Sequence, residues 1–488
     1  MNLGLDHLHQ QIYRPKIPHG GNQDEQVAFW YRIDRYDPEI ALDVKSPEYK
    51  LCRYYARKLG RRLSTMWEPI SLEQVLDHYS GKLRERYRLA VESLKTSTLT
   101  RRDASIKEFV KRDKVSPLKF QVKAPRIISP RETRYGVTLA KYTKPIEAAF
   151  FKLKDHYNIR YFAKGCDARQ RYRIIREKFE AIEDCVIMTI DAEAFDAHVN
   201  TFQLRLEHMV YTVGCNRTEL RQILSWQLKN IFKGTFGLRR IVKARRMSGD
   251  MNTALGNCVI VYIIIKAFMK HYKLRKLMAI FDDGDDCLLF VSRSVAELVR
   301  RELPVWFKNI GHVLKIENYV DRFQDIVFCQ ARPFETRQIM VRNWTKVLSH
   351  CYVSNKHYDH PKFGVKIMKS IALAEVSLNP GVPIIGPWFA AWLEKLVDVS
   401  LAPDEFLEES IKRRVSKNWS KATYIPPTHA DRACFSDLFG ITATEQIALE
   451  MRLVDYVMTY PLEEYLAIDV LGDQHVYFPV DINLSGEL

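Results

Sequence analysis

The segment LMAIFDDGDDCLLFV, residues 277–291, changes chemistry twice within a few residues. Apolar runs from Leu277 to Phe281 and from Cys287 to Val291 flank Asp282, Asp283, Gly284, Asp285 and Asp286. Short apolar runs bounded by turn residues predict two strands joined by a tight hairpin, with Gly284 supplying the turn. Asp285 and Asp286 then sit at the lip of that hairpin, where carboxylates between apolar flanks are stable only when solvated, paired or bound to cations. A divalent metal is the partner this pattern favours, and a solvated acidic turn is the plainer alternative. A calcium loop of the EF-hand kind needs ligands over about 12 residues and a closing Glu, whereas this chain returns at once to Cys287-Leu288-Leu289-Phe290.

The chain has 488 residues, 47% of them apolar, a composition that folds and that can build several subdomains around more than one core. A formal charge of +16 and a pI near 9.3 make a polyanion the expected partner. Ribosomal, capsid and membrane-surface proteins share that property. Nine cysteines without a C-x-x-C pair predict free thiols that pack as small apolar side chains in a reducing compartment. The first residues lack the basic-then-apolar order of a secretory signal. The apolar run Cys258 to Ile265 stops at Lys266, short of the roughly 20 residues a bilayer crossing takes, so a buried helix is expected there.

Working outward, residues 51–94 read as basic helices, with Ser71 opening one of them. From Lys111 to Lys144 ten Lys or Arg face two acids, Asp113 and Glu132, an asymmetry that asks for an anionic ligand. Phe120-Gln121-Val122 and Ile127-Ile128 read as short strands, because Pro117, Pro125 and Pro130 interrupt any continuous helix. Lys111, Lys119, Lys123, Arg126 and Arg131 are then expected to project from a stiff ribbon. Such a ribbon suits a triphosphate, since Arg offers a planar fork and Lys a mobile point charge, and a generic RNA-binding loop carries the same charge.

Cys185 to Ile190 reads as a buried strand ending in Asp191, with Asp196 following closely. Asp191 beside Asp285 in space would complete a carboxylate cluster for two cations, since magnesium takes one or two carboxylates together with phosphates and water. Asp196 taken singly also suits a helix cap. Ser248-Gly249 has loop character, and the residues after it through Lys270 read as a helix on which Thr253 and Asn257 share one face. A substrate or a packed neighbour would satisfy that polar pair. Val295 to Phe307 reads as a helix, and Gly311 to Ile316 and Ile326 to Gln330 as strands. Beyond residue 345 the pattern turns helical: Lys362 to Val376, Trp388 to Val399, and a helix opened by Thr442-x-x-Glu445. His350, Cys351, His357 and His360 do not match paired zinc-ligand spacings, so zinc is not expected.

In their order these segments resemble the RNA-dependent RNA polymerases of positive-strand RNA viruses, most closely the Tombusviridae-like group. The residues that carry the resemblance are Asp191 and Asp196 as D-x4-D, Ser248-Gly249 with Thr253 and Asn257 as S-G-x3-T-x3-N, and Gly284-Asp285-Asp286 as G-D-D. Phe109-Val110-Lys111 and Lys123-Ala124-Pro125-Arg126 match the basic nucleotide-entry motif, Lys315-Ile316-Glu317 the later lysine, Phe328-Cys329-Gln330 the strand beneath the thumb, and Phe439-Gly440-Ile441 a site beyond. Each motif alone is weak. The ordered set is specific.

The resemblance implies an α+β, right-hand polymerase fold. An N-terminal extension and fingers would cover 1–180, and a palm with an RRM-like antiparallel sheet backed by helices 181–344, interrupted by a fingers insertion around 205–247. A helical thumb and tail would cover 345–488, with the aromatic segment Val476-Tyr477-Phe478-Pro479-Val480 folding back into the RNA channel. It implies template-directed RNA synthesis with two Mg2+ ions, Mn2+ able to substitute, held by Asp191, Asp285 and Asp286. Lys111, Lys123 and Arg126 would grip the triphosphate. Asp196, Ser248, Thr253 and Asn257 would read the ribose, whose 2′-hydroxyl both donates and accepts. Lys315 would give a proton to pyrophosphate, a role that suits a Lys with a pKa lowered by burial.

Implied partners are RNA template and product, NTPs, and viral or host membrane-associated replication proteins. The implied place is the host cytoplasm, at membrane-bound replication complexes reached through a partner, with no transmembrane segment of the chain's own. Two departures stand out. Asp282 and Asp283 replace the family's usual amides, which predicts extra negative charge near the metals, and no N-terminal membrane anchor is visible. A reverse transcriptase shares the chemistry but is expected to carry a bulky residue at Asp196. A non-catalytic RNA-binding or packaging protein would explain the charge and not the carboxylates.

Overall fold

Residues 185–192, CVIMTIDA, are buried on both faces up to Asp191, which makes them an inner strand rather than an edge. The computed structural model describes residues 12–214, 217–353, 361–403, 407, 409–412 and 414–460. Its strands are β1 (Phe109–Lys111), β2 (Arg126–Ile128), β3 (Cys185–Ala192), β4 (Lys229–Lys233), β5 (Arg239–Lys243), β6 (Met278–Asp282), β7 (Asp286–Ser292), β8 (Leu314–Val320), β9 (Ala331–Phe334) and β10 (Ile339–Arg342). The helices used below are α1 (Pro47–Leu63), α2 (Thr201–Thr212), α3 (Thr253–His271), α4 (Arg293–Ile310), α5 (Pro361–Leu378), α6 (Ile385–Lys395) and α7 (Ala443–Thr459).

The central sheet is antiparallel throughout, in the order β6-β7-β3-β8. Setting aside residues 193–252, its connectivity is β3-α3-β6-β7-α4-β8, a β-α-β-β-α-β unit. Side chains alternate across the sheet. Val186, Met188 and Ile190 join α3 in the largest core, while Cys185 and Ile187 join Phe281, Leu288 and Phe290 in a second core under Phe323, Ile326 and Phe328. The 277–291 hairpin, the strand ending at Asp191 and the helix opened by Thr442 with Glu445 are all found as read. A separate core joins β9 and β10 to α5, α6 and α7.

By length and composition α3 could cross a membrane, and 78% of its most apolar window is buried inside the protein against α1, α2 and β6. Cys258 and Cys287, like most other cysteines among the described residues, are buried and free.

Two strand readings are corrected. Phe120-Gln121-Val122 ends a short helix, Pro117–Val122, because Ser116 caps it by accepting from the Lys119 N–H and Pro117 stands in its first turn, where a missing N–H costs nothing. Ile326 to Gln330 is not a strand. Cys329 and Gln330 take φ values of 49° and 61°, and Phe328 and Ala331 exchange both backbone hydrogen bonds at 2.9 Å, so the chain reverses there and β9 starts at Ala331. His357, His360 and the tail 476–480 lie outside the described residues.

A buried pair beneath the sheet ties the fold together. Lys178, with a side chain 0% exposed, donates to Asp155, which also accepts the N–H groups of Tyr157 at 2.9 Å and Ile159 at 3.1 Å. Removing the acid alone strands a buried cation, so Asp155→Ala is expected to lower the unfolding free energy by about 3–5 kcal/mol. Asp155→Asn/Lys178→Met, which removes both charges and keeps the volume, should cost clearly less in the same urea titration.

Candidate active site

Strand pairing does most of the assembly. In the ladder Asp191 lies directly opposite Asp286 on β7 and opposite Lys315 on β8. Residues directly opposite share a face, with Cβ atoms about 4.5–5.5 Å apart, so an acid–acid–lysine row crosses the open end of the sheet. The register against β8 shifts between Thr189 and Ile190, and such a bulge bends a strand beside a site. Asp191, Asp285, Asp286 and Lys315 are all exposed. The burial expected of Lys315 is therefore absent.

The hairpin closes through the Asp283 N–H donating to the Asp286 carbonyl at 2.9 Å. Gly284 sits at φ 106°, in the region where a side chain is strained, and its N–H donates to Asp282 Oδ1 at 2.9 Å. The two acids before it behave differently. Asp282 is fully buried, and lost hydration pushes its pKa well above the carboxylate range. Asp283 accepts from Lys164 at 2.9 Å and Arg171 at 3.0 Å, which outweigh its own desolvation and lower its pKa. The expected surplus charge is thus largely absorbed at Asp282 and Asp283. What remains concentrates on the outer side: desolvation and then Asp285, Asp283, Asp191 and Glu317 raise Asp286 to about 6.

A hard divalent cation fits this donor set. The outer carboxylates are oxygen donors, close enough together to raise Asp286, while the inner Asp283 already has its cations. Among the described residues no group of three or more His, Cys, Asp or Glu side chains forms a metal site on its own. Magnesium does not need one, since it takes one or two carboxylates with phosphates and water.

Beside the carboxylates, Asn257 donates through Nδ2 to Asp196 Oδ1 at 2.8 Å and accepts through Oδ1 from Arg246 Nε at 2.9 Å. Burial raises Asp196, against the pull of Asn257 and Arg246. Arg246 is buried and paired with Glu207 of α2, which also accepts from Asn252 at 2.6 Å and Tyr211 at 2.8 Å. A second buried pair, Arg131 with Asp250 at 2.7 Å, joins the same layer through Gln227 and Asn230. Sequence reasoning missed this network. Its trace in the sequence is Glu207, an acid in the otherwise apolar register of α2 between Leu204 and Tyr211.

The remaining site residues divide. Lys111 and Arg126 are opposite each other in the β1–β2 ladder and both reach Asp113, at 3.1 and 3.6 Å. Arg126 is also close enough for its charge to lower Asp196. Lys123 and Lys119 are exposed. Arg131 does not project from the ribbon: its guanidinium needs the carboxylate of Asp250 and the Ala104 carbonyl, which lie inside. The Ser129 N–H donates to the Ser248 carbonyl at 2.6 Å, so the ribbon and the Ser248-Gly249 loop are one unit. Thr253 does not join Asn257, because its hydroxyl bonds the carbonyls of Met247 and Asp250 at 2.9 Å and holds that loop.

Gly256 allows α3 to approach the pair: a Cβ there would lie 2.3 Å from Arg246 Nη2 and 2.4 Å from Glu207 Oε1. Gly256→Ala should therefore destabilise by about 1–3 kcal/mol, measured by chemical denaturation. A gain of about 0.5–1 kcal/mol, normal for Gly→Ala in an unobstructed helix, would show that the contact is not limiting.

Comparison with known proteins bears on most of the chain. A family model described as viral RNA dependent RNA polymerase matches residues 39–460. The RNA-directed RNA polymerase of Tomato bushy stunt virus (strain Cherry) is 32% identical over 397 residues, covering 78% of this chain and 47% of its own length. That of Melon necrotic spot virus is 31% identical over 369 residues, 74% of this chain and 46% of its own. That of Oat chlorotic stunt virus is 28% identical over 484 residues, 93% and 62%. The chain spans about half the length of the first two of these curated relatives. With a match running from residue 39 to residue 460, the chain belongs to the viral RNA-dependent RNA polymerase family.

Proposed function

We propose that the chain is an RNA-directed RNA polymerase that joins NTPs to an RNA 3′-hydroxyl on an RNA template and copies a viral positive-strand genome. The observation that carries the reading is the ladder register that sets Asp191 against Asp286 beside Asp285 at the open sheet end. In this reading residues 1–180 are the N-terminal extension and fingers, 181–344 the palm, interrupted by a fingers insertion around 205–247, and 345–488 the thumb and tail.

Asp191, Asp285 and Asp286 would hold Mg2+, or Mn2+ in its place. When bound, the ions supply neutralisation of the attacking oxygen and the leaving pyrophosphate. The protein's own groups then have separate tasks. Arg126 and Lys111 orient the triphosphate, with Lys123 at the rim, and Asp113 keeps the first two extended until phosphate oxygens replace it. Asn257, held by Arg246, and Asp196 present a donor and an acceptor to the ribose, with Ser248 in the loop above and Thr253 keeping that loop in place. Lys315, exposed and opposite Asp191, would give a proton to pyrophosphate. RNA and NTPs are the partners, and membrane-associated replication proteins of virus or host would bring the chain to its place in the cytoplasm.

Asp285→Asn should abolish ribonucleotide incorporation on a primed RNA template while RNA affinity stays close to that of the parent chain. Full activity in that variant would reject the site. Asn257→Ala should lower the preference for NTPs over dNTPs by about tenfold, the worth of one hydrogen bond near 1.4 kcal/mol, read from the ratio of kcat/KM values. A parent chain that prefers dNTPs would instead make it a reverse transcriptase.

A further inference from the structure

The outer surface of α1 and the C-terminal end of α3 carry none of the residues assigned to that reaction. Tyr54 and Lys58 of α1 and Lys266, Lys270 and Lys273 line a cleft of about 640 Å3 walled by Tyr161. A second hollow of about 590 Å3 shares Tyr54 and Lys58 and continues along α1 past Arg57. Among the described residues Asp155 is the one acid lining either hollow, and it is already paired with the buried Lys178. Lys266 is held at about 8, mainly by lost hydration and then by Arg275, Lys58 and Lys178 against Asp155, so the cleft is short of negative charge.

This cleft is remote from the carboxylates. Asn257 marks the catalytic end of α3, 2.8 Å from Asp196. At 1.5 Å per residue, Lys266 and Lys270 lie about 14 and 20 Å further along the same helix. Tyr54 is 51% exposed with the Lys58 ammonium 5.8 Å from its ring centre, an aromatic face among cations. Cations that track phosphates together with an open ring for bases are the elements of sequence-tolerant single-strand binding. A flat bilayer surface would meet the exposed lysines but could not enter a recess walled by Tyr161.

We propose that this strip is a second binding site for single-stranded RNA, separate from the carboxylate site, with Lys58, Lys270 and Lys273 on phosphates and Tyr54 stacked on a base. To test it, the full chain is saturated with an unlabelled hairpin primer–template, and a labelled oligouridylate is titrated at fixed ionic strength. Lys58→Glu/Lys270→Glu/Lys273→Glu should weaken that second binding by at least about tenfold and flatten its salt dependence. Tyr54→Ala should weaken it by at least about fivefold while heparin affinity stays unchanged. Extension of the bound hairpin should proceed at the parent rate in both variants, and a parent chain that fails to extend it would count against the polymerase reading alone. Unchanged oligouridylate affinity in the charge-reversed variant overturns the proposal, and so does a loss confined to phosphatidylserine vesicles, which would assign the strip to a membrane.

Discussion

Like charges on adjacent strands set the conditions for everything else in this molecule. Asp191 and Asp286 face each other in the β3–β7 ladder, with Asp285 one residue beyond. A sheet tolerates such a row only at an end open to water, because directly opposed like charges destabilise a strand pair and an unpaired buried carboxylate is costlier still. Two apolar cores on the two sides of the sheet hold the ladder against that repulsion. Lys315 stands opposite Asp191 in the ladder, while Lys164 and Arg171 pair with Asp283 behind the outer carboxylates.

The buried polar layer next to this row serves geometry rather than stability. Arg246 with Glu207 and Arg131 with Asp250 are nearly inaccessible to water, and such pairs repay their desolvation only when every remaining hydrogen-bonding group is satisfied. Asn252, Gln227, Asn230 and Tyr211 satisfy them. The consequence is that Asn257 reaches Asp196 with both ends of its amide occupied, its orientation set from behind. The same layer anchors Arg131, and through Ser129 and Ser248 it joins the basic ribbon to the loop before α3. Asn257 and the basic ribbon that carries Arg126 are thus fixed to one frame.

The sequence by itself determined the elements whose signals are local. The hairpin at 277–291, the strand ending in Asp191, the buried helix through Cys258 to Ile265 and the capped helix at Thr442 were legible because turn residues, apolar runs and capping pairs act over a few positions. The ordered motifs likewise pointed to the family. The short helix Pro117–Val122 and the reversal at Cys329-Gln330 were not legible. In the first, proline starts a helix as readily as it interrupts one, and in the second two non-glycine residues take a left-handed turn that carries no glycine signal.

Only the tertiary structure decided the partners. That Asp283 is neutralised, that Asp282 is buried, that Arg131 turns inward and Thr253 holds a loop all depend on contacts between residues far apart in the chain. An Asp or Arg looks the same in sequence whether it meets water, a counter-ion or a carbonyl. Its charge state and its task are set by whichever neighbour the fold brings within about 3 Å.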